Sequence, residues 1–216
     1  MVLPSRVLEA RKMFKNHLDR TNWSDLTNGR KKILEVFLRL ASVEGYSAVT
    51  MRSLAKSANV KAASIYFHFP GGRGEIVCES LRWHYTNWGY SVLAAVEGCG
   101  DVEEFWDRLV FAVLEHQITV PASDLWDLLV RMDRVGGFLE PEFRQEIEHW
   151  LELCAKLFES AANEMGYKVD RQTIRIIMAI LDASTTWCEG SSDETKMRAC
   201  GVKAIALTRA ILSSQR

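Results

Sequence analysis

The sequence predicts an all-α protein, on three observations. Proline is scarce, with Pro4, Pro70, Pro121 and Pro141 the four in 216 residues. Leu, Ala, Glu, Arg and Lys outweigh β-branched runs, a balance that favours helices over strands. Apolar residues recur three and four positions apart over most of the chain, with no stretch of strict alternation. At 48% hydrophobic residues, the chain carries enough apolar surface to bury a sizeable core.

Residues 1–27 read as an N-terminal extension: Val7 to Leu18 has an amphipathic helical pattern, and Thr21 to Gly29 reads as a turn. The next helix starts at a Thr27 or Asn28 cap, carries Ile33, Val36, Phe37, Leu40 and Val43 on one face, and stops at Glu44-Gly45. A short helix then runs from the Thr50 cap to Ala58, with Leu54 and Ala55 facing inward. Asn59 tolerates the left-handed backbone of a tight turn, and Lys61 to His68 forms a further short helix. Two short helices joined by such a turn make a helix-turn-helix. Leu54, Val60 and Ile65 pack under the preceding helix, and Lys61, Ser64, Tyr66, Phe67 and His68 are left outside. A plain three-helix knot, with Tyr66 and Phe67 lying over neighbouring helices, is the other reading of the same pattern.

Beyond Pro70-Gly71-Gly72 the chain predicts longer helices over 73–97, 101–118, 121–134, 140–165, 170–189 and 193–213. Their breaks fall at Gly98, Gly100, Pro121, Gly136, Gly137 and Gly166. The domains expected are thus 1–27 as an extension, 28–73 as the helix-turn-helix domain and 74–216 as a helical bundle.

Charge divides along the same line. Residues 28–73 hold eight Lys and Arg against two Glu, and residues 1–27 hold five basic against three acidic side chains. The total is −1, so residues 74–216 carry −9. A basic end on an acidic body points to a polyanionic partner for that end alone, because Lys and Arg supply most of the non-specific affinity for nucleic acid by neutralising phosphates.

Several function classes drop out. The chain has no G-x-S-x-G, no phosphate-binding glycine loop and no acid–base pair at a recognisable spacing, so an enzyme is not expected. Pro70-Gly71-Gly72-Arg73-Gly74-Glu75 is a turn that follows no strand. Five cysteines, an odd number without a C-x-x-C pair, predict buried thiols rather than a disulfide framework or a zinc site. No metal or cofactor is expected. There is no signal-peptide pattern and no run approaching the roughly 18 apolar residues of a membrane helix, so a soluble cytoplasmic chain without membrane partners is expected.

The segment TMRSLAKSANVKAASIYFHF followed by PGGRGEIV resembles the signature of the TetR family of transcriptional regulators. The resemblance covers residues 28 to about 80, and rests on Leu54-Ala55, Ala58, Val60, Ile65-Tyr66, His68-Phe69 and the turn after them. It implies an N-terminal three-helix DNA-binding domain, a C-terminal helical bundle for ligand binding and dimerisation, and repression relieved by a small-molecule effector. Arg52, Lys61, Ala62, Ala63 and Ser64 match the family's base-facing positions. Tyr66, Phe67 and His68 match positions that touch phosphate and sugar, and Arg73 stands where a basic residue opens the fourth helix. The sequence departs from the pattern at three places: Asn59 replaces the usual turn glycine; Ala62-Ala63 offer no hydrogen bonds, so direct readout would lean on Arg52, Lys61, Ser64 and methyl contacts to thymine; and Gly74 replaces a stronger helix former, which predicts that the helix begins a residue later.

In the bundle, His84, Trp88, Trp106, His116, Trp126 and Trp150 are the expected lining of an effector pocket, since scattered aromatic and polar groups build such sites. Each taken singly also fits a core position. Ile76, Ser80, His84 and Trp88 share one helical face, against which a ligand would tilt the helix that joins the two domains. The last two helices predict a homodimer interface. Ile174, Ile177, Met178 and Leu181 form one apolar face and Ile176, Ile180, Ala183 and Trp187 another, and Ala199, Val202, Ala206 and Ala210 line the final helix. Two heads related by a two-fold axis would read a pseudo-palindromic operator in double-stranded DNA. A helical ligand-binding or adapter protein without operator binding is the second reading.

Overall fold

The computed structural model describes residues 3–21, 23, 26–188 and 193–214, and among them every regular element is helical. The helices are α1 (Ser5–Leu18), α2 (Asn28–Glu44), α3 (Met51–Ala58), α4 (Ala62–His68), α5 (Gly72–Ala95), α6 (Val102–Thr119), α7 (Ala122–Gly136), α8 (Pro141–Glu164), α9 (Arg171–Asp182) and α10 (Glu194–Ser213). The expected all-α class is the observed one. Two compact units divide the chain: residues 21–87 with 121–145, and residues 1–20 with 88–120 and 146–216. The helix-turn-helix lies wholly in the first unit, which continues to residue 87 and takes in α7.

In this first unit, local chemistry sets each boundary. The Thr27 hydroxyl accepts from the Arg30 amide at the start of α2, and Gly45 ends that helix at φ +84°. Thr50 and Ser53 cap α3 reciprocally, each side chain accepting from the other's backbone N–H. Asn59 closes α3 in the left-handed region at φ 53°, the turn its amide side chain tolerates. Ile33, Leu34, Phe37, Leu54, Ala58, Ile65 and Phe69 fill the core between these helices. Helix α7 packs on α2, and in its last turn the Asp133 carboxylate accepts from the Leu139 amide and from Arg144 Nε, each at 2.7 Å.

The second unit is built on α6, which packs against α9 and α10. Trp106 is fully buried there; its indole N–H donates to Thr208 Oγ1 at 3.3 Å and its ring meets Phe158 edge-on. Gly201 lets α10 approach α6, because a Cβ at that position would run into the Phe111 ring. Helix α1 buries Val7, Ala10, Phe14 and Leu18, with Phe14 edge-on to Trp88.

Three expectations are corrected. Helix α5 begins at Gly72 rather than after Gly74, because Glu75 reaches back to accept from the Gly71 amide at 2.8 Å and anchors the first turn. The helix expected over 170–189 stops at Asp182 and continues as a 3-10 turn, Ala183–Thr186; its expected end at Glu189 lies outside the described residues, as do Asn22, Ser24 and Asp25 of the N-terminal turn. Cys188 and Cys200 are not thiols but a disulfide, with Cα atoms 5.9 Å apart. The return of α10 beside the end of α9 creates that proximity, which cysteine spacing does not encode. Cys99 and Cys154 are buried thiols as expected.

Candidate nucleic-acid interface

The exposed surface of the helix-turn-helix is arranged around one buried side chain. Ile65 is 0% exposed and pins α4 to the core, so the residues around it point away. Lys61, Ala62, Ala63, Tyr66 and Phe67 are exposed and Ser64 is half-exposed, with Phe67 reaching 81% and Tyr66 51%. Two large aromatics that open to solvent on a seven-residue helix are unusual for a surface with no partner. Arg52 is exposed on α3. Lys61 is the N-terminal cap residue of α4, and its side chain caps nothing.

His68 and Arg73 differ from these. The His68 side chain is half-buried, and its imidazole fills the space beside Gly29, where a Cβ would lie 2.5 Å from Nε2. Arg73 turns inward: Nη2 donates to the Tyr46 carbonyl at 2.8 Å and the guanidinium lies 4.3 Å from the centre of the Tyr46 ring. It holds the start of α5 against the turn that follows α2.

Sequence reasoning missed the residue that fixes the far end of α4. Arg30 Nη1 donates to the His68 carbonyl at 2.7 Å, and the guanidinium lies 4.4 Å from the Phe69 ring centre. Nη2 stands 3.6 Å from Glu75 Oε1 and 4.0 Å from Glu79 Oε2. The partners are 38 to 49 positions away in sequence, so no local pattern marks Arg30 as anything but a surface cation.

The residues expected to line an effector pocket fall in both units. His84 and Trp126 belong to the helix-turn-helix unit and come together, with ring centres 6.4 Å apart, and Tyr85 lies 5.8 Å from the same indole. Ser80, one turn before His84, is fully buried, and its hydroxyl has no hydrogen-bond partner among the described residues. Trp88, Trp106, His116 and Trp150 belong to the other unit. There Trp106 is sealed in the core, Trp150 is edge-on to His17, and burial lowers the His116 pKa to about 4. A cavity of about 290 Å³ in that unit is lined by Glu152, Ala155, Lys156, Glu159, Arg171 and Ile174, and by none of the six expected residues. Among the described residues, no three His, Cys, Asp or Glu side chains gather as metal ligands, and no helix is long and apolar enough to cross a membrane.

Residues 33–74 match the sequence profile of bacterial regulatory proteins of the tetR family. The transcriptional regulator LmrA of Bacillus subtilis (strain 168), of the helix-turn-helix type, is 27% identical over 77 residues, which are 36% of this chain and 41% of LmrA, so the similarity spans less than half of that relative. The fold is shared over more than four-fifths of the chain. A tetR-family regulatory protein from Rhodococcus RHA1 superposes with a TM-score of 0.73 at 15% identity, over 86% of this chain and 97% of its own. AibR, in complex with isovaleryl coenzyme A and operator DNA, superposes with a TM-score of 0.68 at 14% identity, over 83% of this chain and 97% of its own. Residues 33–74 thus carry the helix-turn-helix profile of the tetR family, and more than four-fifths of the chain shares the fold of a solved regulatory protein of that family.

Proposed function

We propose that this protein is a cytoplasmic transcriptional repressor that binds a pseudo-palindromic operator as a homodimer and releases it when a small-molecule effector binds within residues 74–216. The observation that carries the reading is the outward face of α4, where Lys61, Ala62, Ala63, Tyr66 and Phe67 stand clear of the core around a fully buried Ile65. A helix of this size, placed by the two helices before it, fits the major groove with its leading residues against base edges. Arg52, Lys61 and Ser64 supply donors there, and Tyr66, Phe67 and His68 meet sugar and phosphate. Arg73, clasped on Tyr46, serves by fixing the start of α5.

Dimerisation is assigned to α9 and α10. Ile174, Ile177 and Leu181 are buried within the subunit, whereas Ile176, Ala179, Ala199, Val202, Ala206, Leu207 and Ala210 remain exposed on the same two helices. The effector is assigned to the helical bundle by analogy with AibR, which was solved with both isovaleryl coenzyme A and operator DNA. Helix α5 is continuous from Gly72 to Ala95 and carries His84 and Trp88, so a ligand packed on it would act on the same rod that follows the recognition helix.

An electrophoretic shift on duplex DNA at rising salt tests the proposal. A regulator loses affinity steeply as salt rises, and Lys61→Ala and Arg52→Ala weaken binding by about 1–3 kcal/mol each without unfolding the chain. Tyr66→Ala weakens it on every sequence alike. A chain that shifts no duplex at low ionic strength is instead the helical ligand-binding or adapter protein of the second reading.

A further inference from the structure

The outward face of α4 is apolar where base readout ordinarily calls for hydrogen-bonding groups. Ala62 and Ala63 are exposed at its first two positions, and Tyr66 and Phe67 are exposed one turn further on. The i,i+4 spacing aligns Ala62 with Tyr66 and Ala63 with Phe67 in two adjacent strips. Ile65, on the other side of the helix, faces the core. The cations Lys61 and Arg52 stand at the edge of this surface, both exposed.

Alanine offers a base edge neither a donor nor an acceptor; it offers a methyl group and lets the helix backbone come close. In the major groove guanine, adenine and cytosine are read through their nitrogen and oxygen groups and carry no methyl, while thymine also presents its 5-methyl. Apolar side chains at the leading end of the helix therefore gain from thymine and lose from the other bases, whose polar edges they would cover without pairing.

We propose that Ala62 and Ala63 are specificity-determining residues that read thymine 5-methyl groups in each operator half-site, with Lys61 and Arg52 setting the helix beside them through the neighbouring base edges and phosphates. The inference rests on the operator binding proposed above and adds to it the chemistry of the sequence read.

Duplexes enriched from a randomised pool by the full-length chain are expected to share thymines at fixed positions of each half-site. In an enriched duplex, replacing one thymine by deoxyuridine keeps base pairing and removes only the methyl. At one or two positions per half-site this replacement is expected to lower affinity about fourfold, the effect of burying one methyl-sized group, with no change elsewhere. Against Ala62→Gly and Ala63→Gly the ratio of thymine to deoxyuridine affinity at the matching position should fall to about one. Glycine also loosens so short a helix, so Ala62→Ser and Ala63→Ser serve as the second pair. The ratio is taken within each variant, and a general loss of affinity cancels from it. A duplex bound with clear sequence preference yet indifferent to every deoxyuridine replacement overturns this inference and leaves operator binding standing. A pool from which no duplex is enriched overturns both.

Discussion

The guanidinium of Arg30 meets the end of α4, the first turn of α5 and the Phe69 ring at once, through the His68 carbonyl, Glu75, Glu79 and the ring face. A planar group can donate along its edge while lying flat on an aromatic face, and an ammonium cannot do both. Helix α4 is only seven residues long and has no side-chain cap at its start, so its own hydrogen bonds hold it weakly and outside anchors decide its position. Arg30→Ala is expected to lower unfolding stability by about 1.5–3 kcal/mol, the range for a hydrogen bond to a charged group. Arg30→Lys should recover only part of that loss. Denaturant midpoints of the three proteins check this, and full recovery by lysine would show that the stacked geometry is irrelevant.

At the scale of the element, α1 is docked by a histidine that resists protonation. His17 lies edge-on to His149 and Trp150 of α8, with ring centres 5.0 and 5.8 Å away. Burial lowers its pKa from 6.5 to about 4, helped by His149 and Arg20 and opposed by Glu146. Burial does the same to His116 on α6. Above pH 6.5 both groups are neutral whether the chain is folded or not, and they impose no cost. As pH falls from 6.5 towards 4, the unfolded chain takes up protons that the folded one refuses, so stability is lost through that window and levels off below it. The unfolding midpoint should therefore be lower at pH 5 than at pH 7, and His17→Gln and His116→Gln should each shrink the difference. A difference unchanged in both variants would mean that other groups set the acid limit.

Helices of this kind are legible from the sequence because their signals are local. Thr27, Thr50, Asp101, Asp170 and Asp193 each cap the helix that follows, and each stands beside an apolar pattern of helical period. Most of the surface of α4 is legible in the same way, since a single inward Ile65 decides which of its neighbours face out, but His68, expected outside, is half-buried beside Gly29 because α2 passes there. What the sequence concealed depends on the return of distant segments. The bond between Cys188 and Cys200 needs the approach of α10 to the end of α9, and the Arg30 clasp needs α2 beside α4 and α5. Trp106 has the composition of a pocket residue and the position of a core residue, and only packing separates the two.

Over the whole molecule, the sequence places +8 on residues 1–73 and −9 on residues 74–216. An acidic bundle cannot add affinity for a phosphate backbone, so a single short recognition helix would have to supply both strength and specificity. The proposed homodimer removes that difficulty by presenting two such helices to one duplex. Its decisive surface is the outer side of α10, where Val202 is 68% exposed between Ala199 and Ala206, while Cys200, Gly201 and Ala204 turn inward. Small neighbours allow a partner helix to approach closely, and the isolated subunit gives Val202 no cover. Val202→Glu leaves the subunit fold intact because the side chain starts in solvent, but it would bury two unpaired carboxylates across a two-fold axis, at a cost on the order of 3–5 kcal/mol for each uncompensated charge. Sedimentation of this variant should give a monomer with the wild-type far-ultraviolet spectrum, and its affinity for an enriched duplex should fall to that of one half-site. A variant that still sediments as the wild type does would remove α10 from the interface and leave the proposed operator-reading surface of α4 to be explained without a partner.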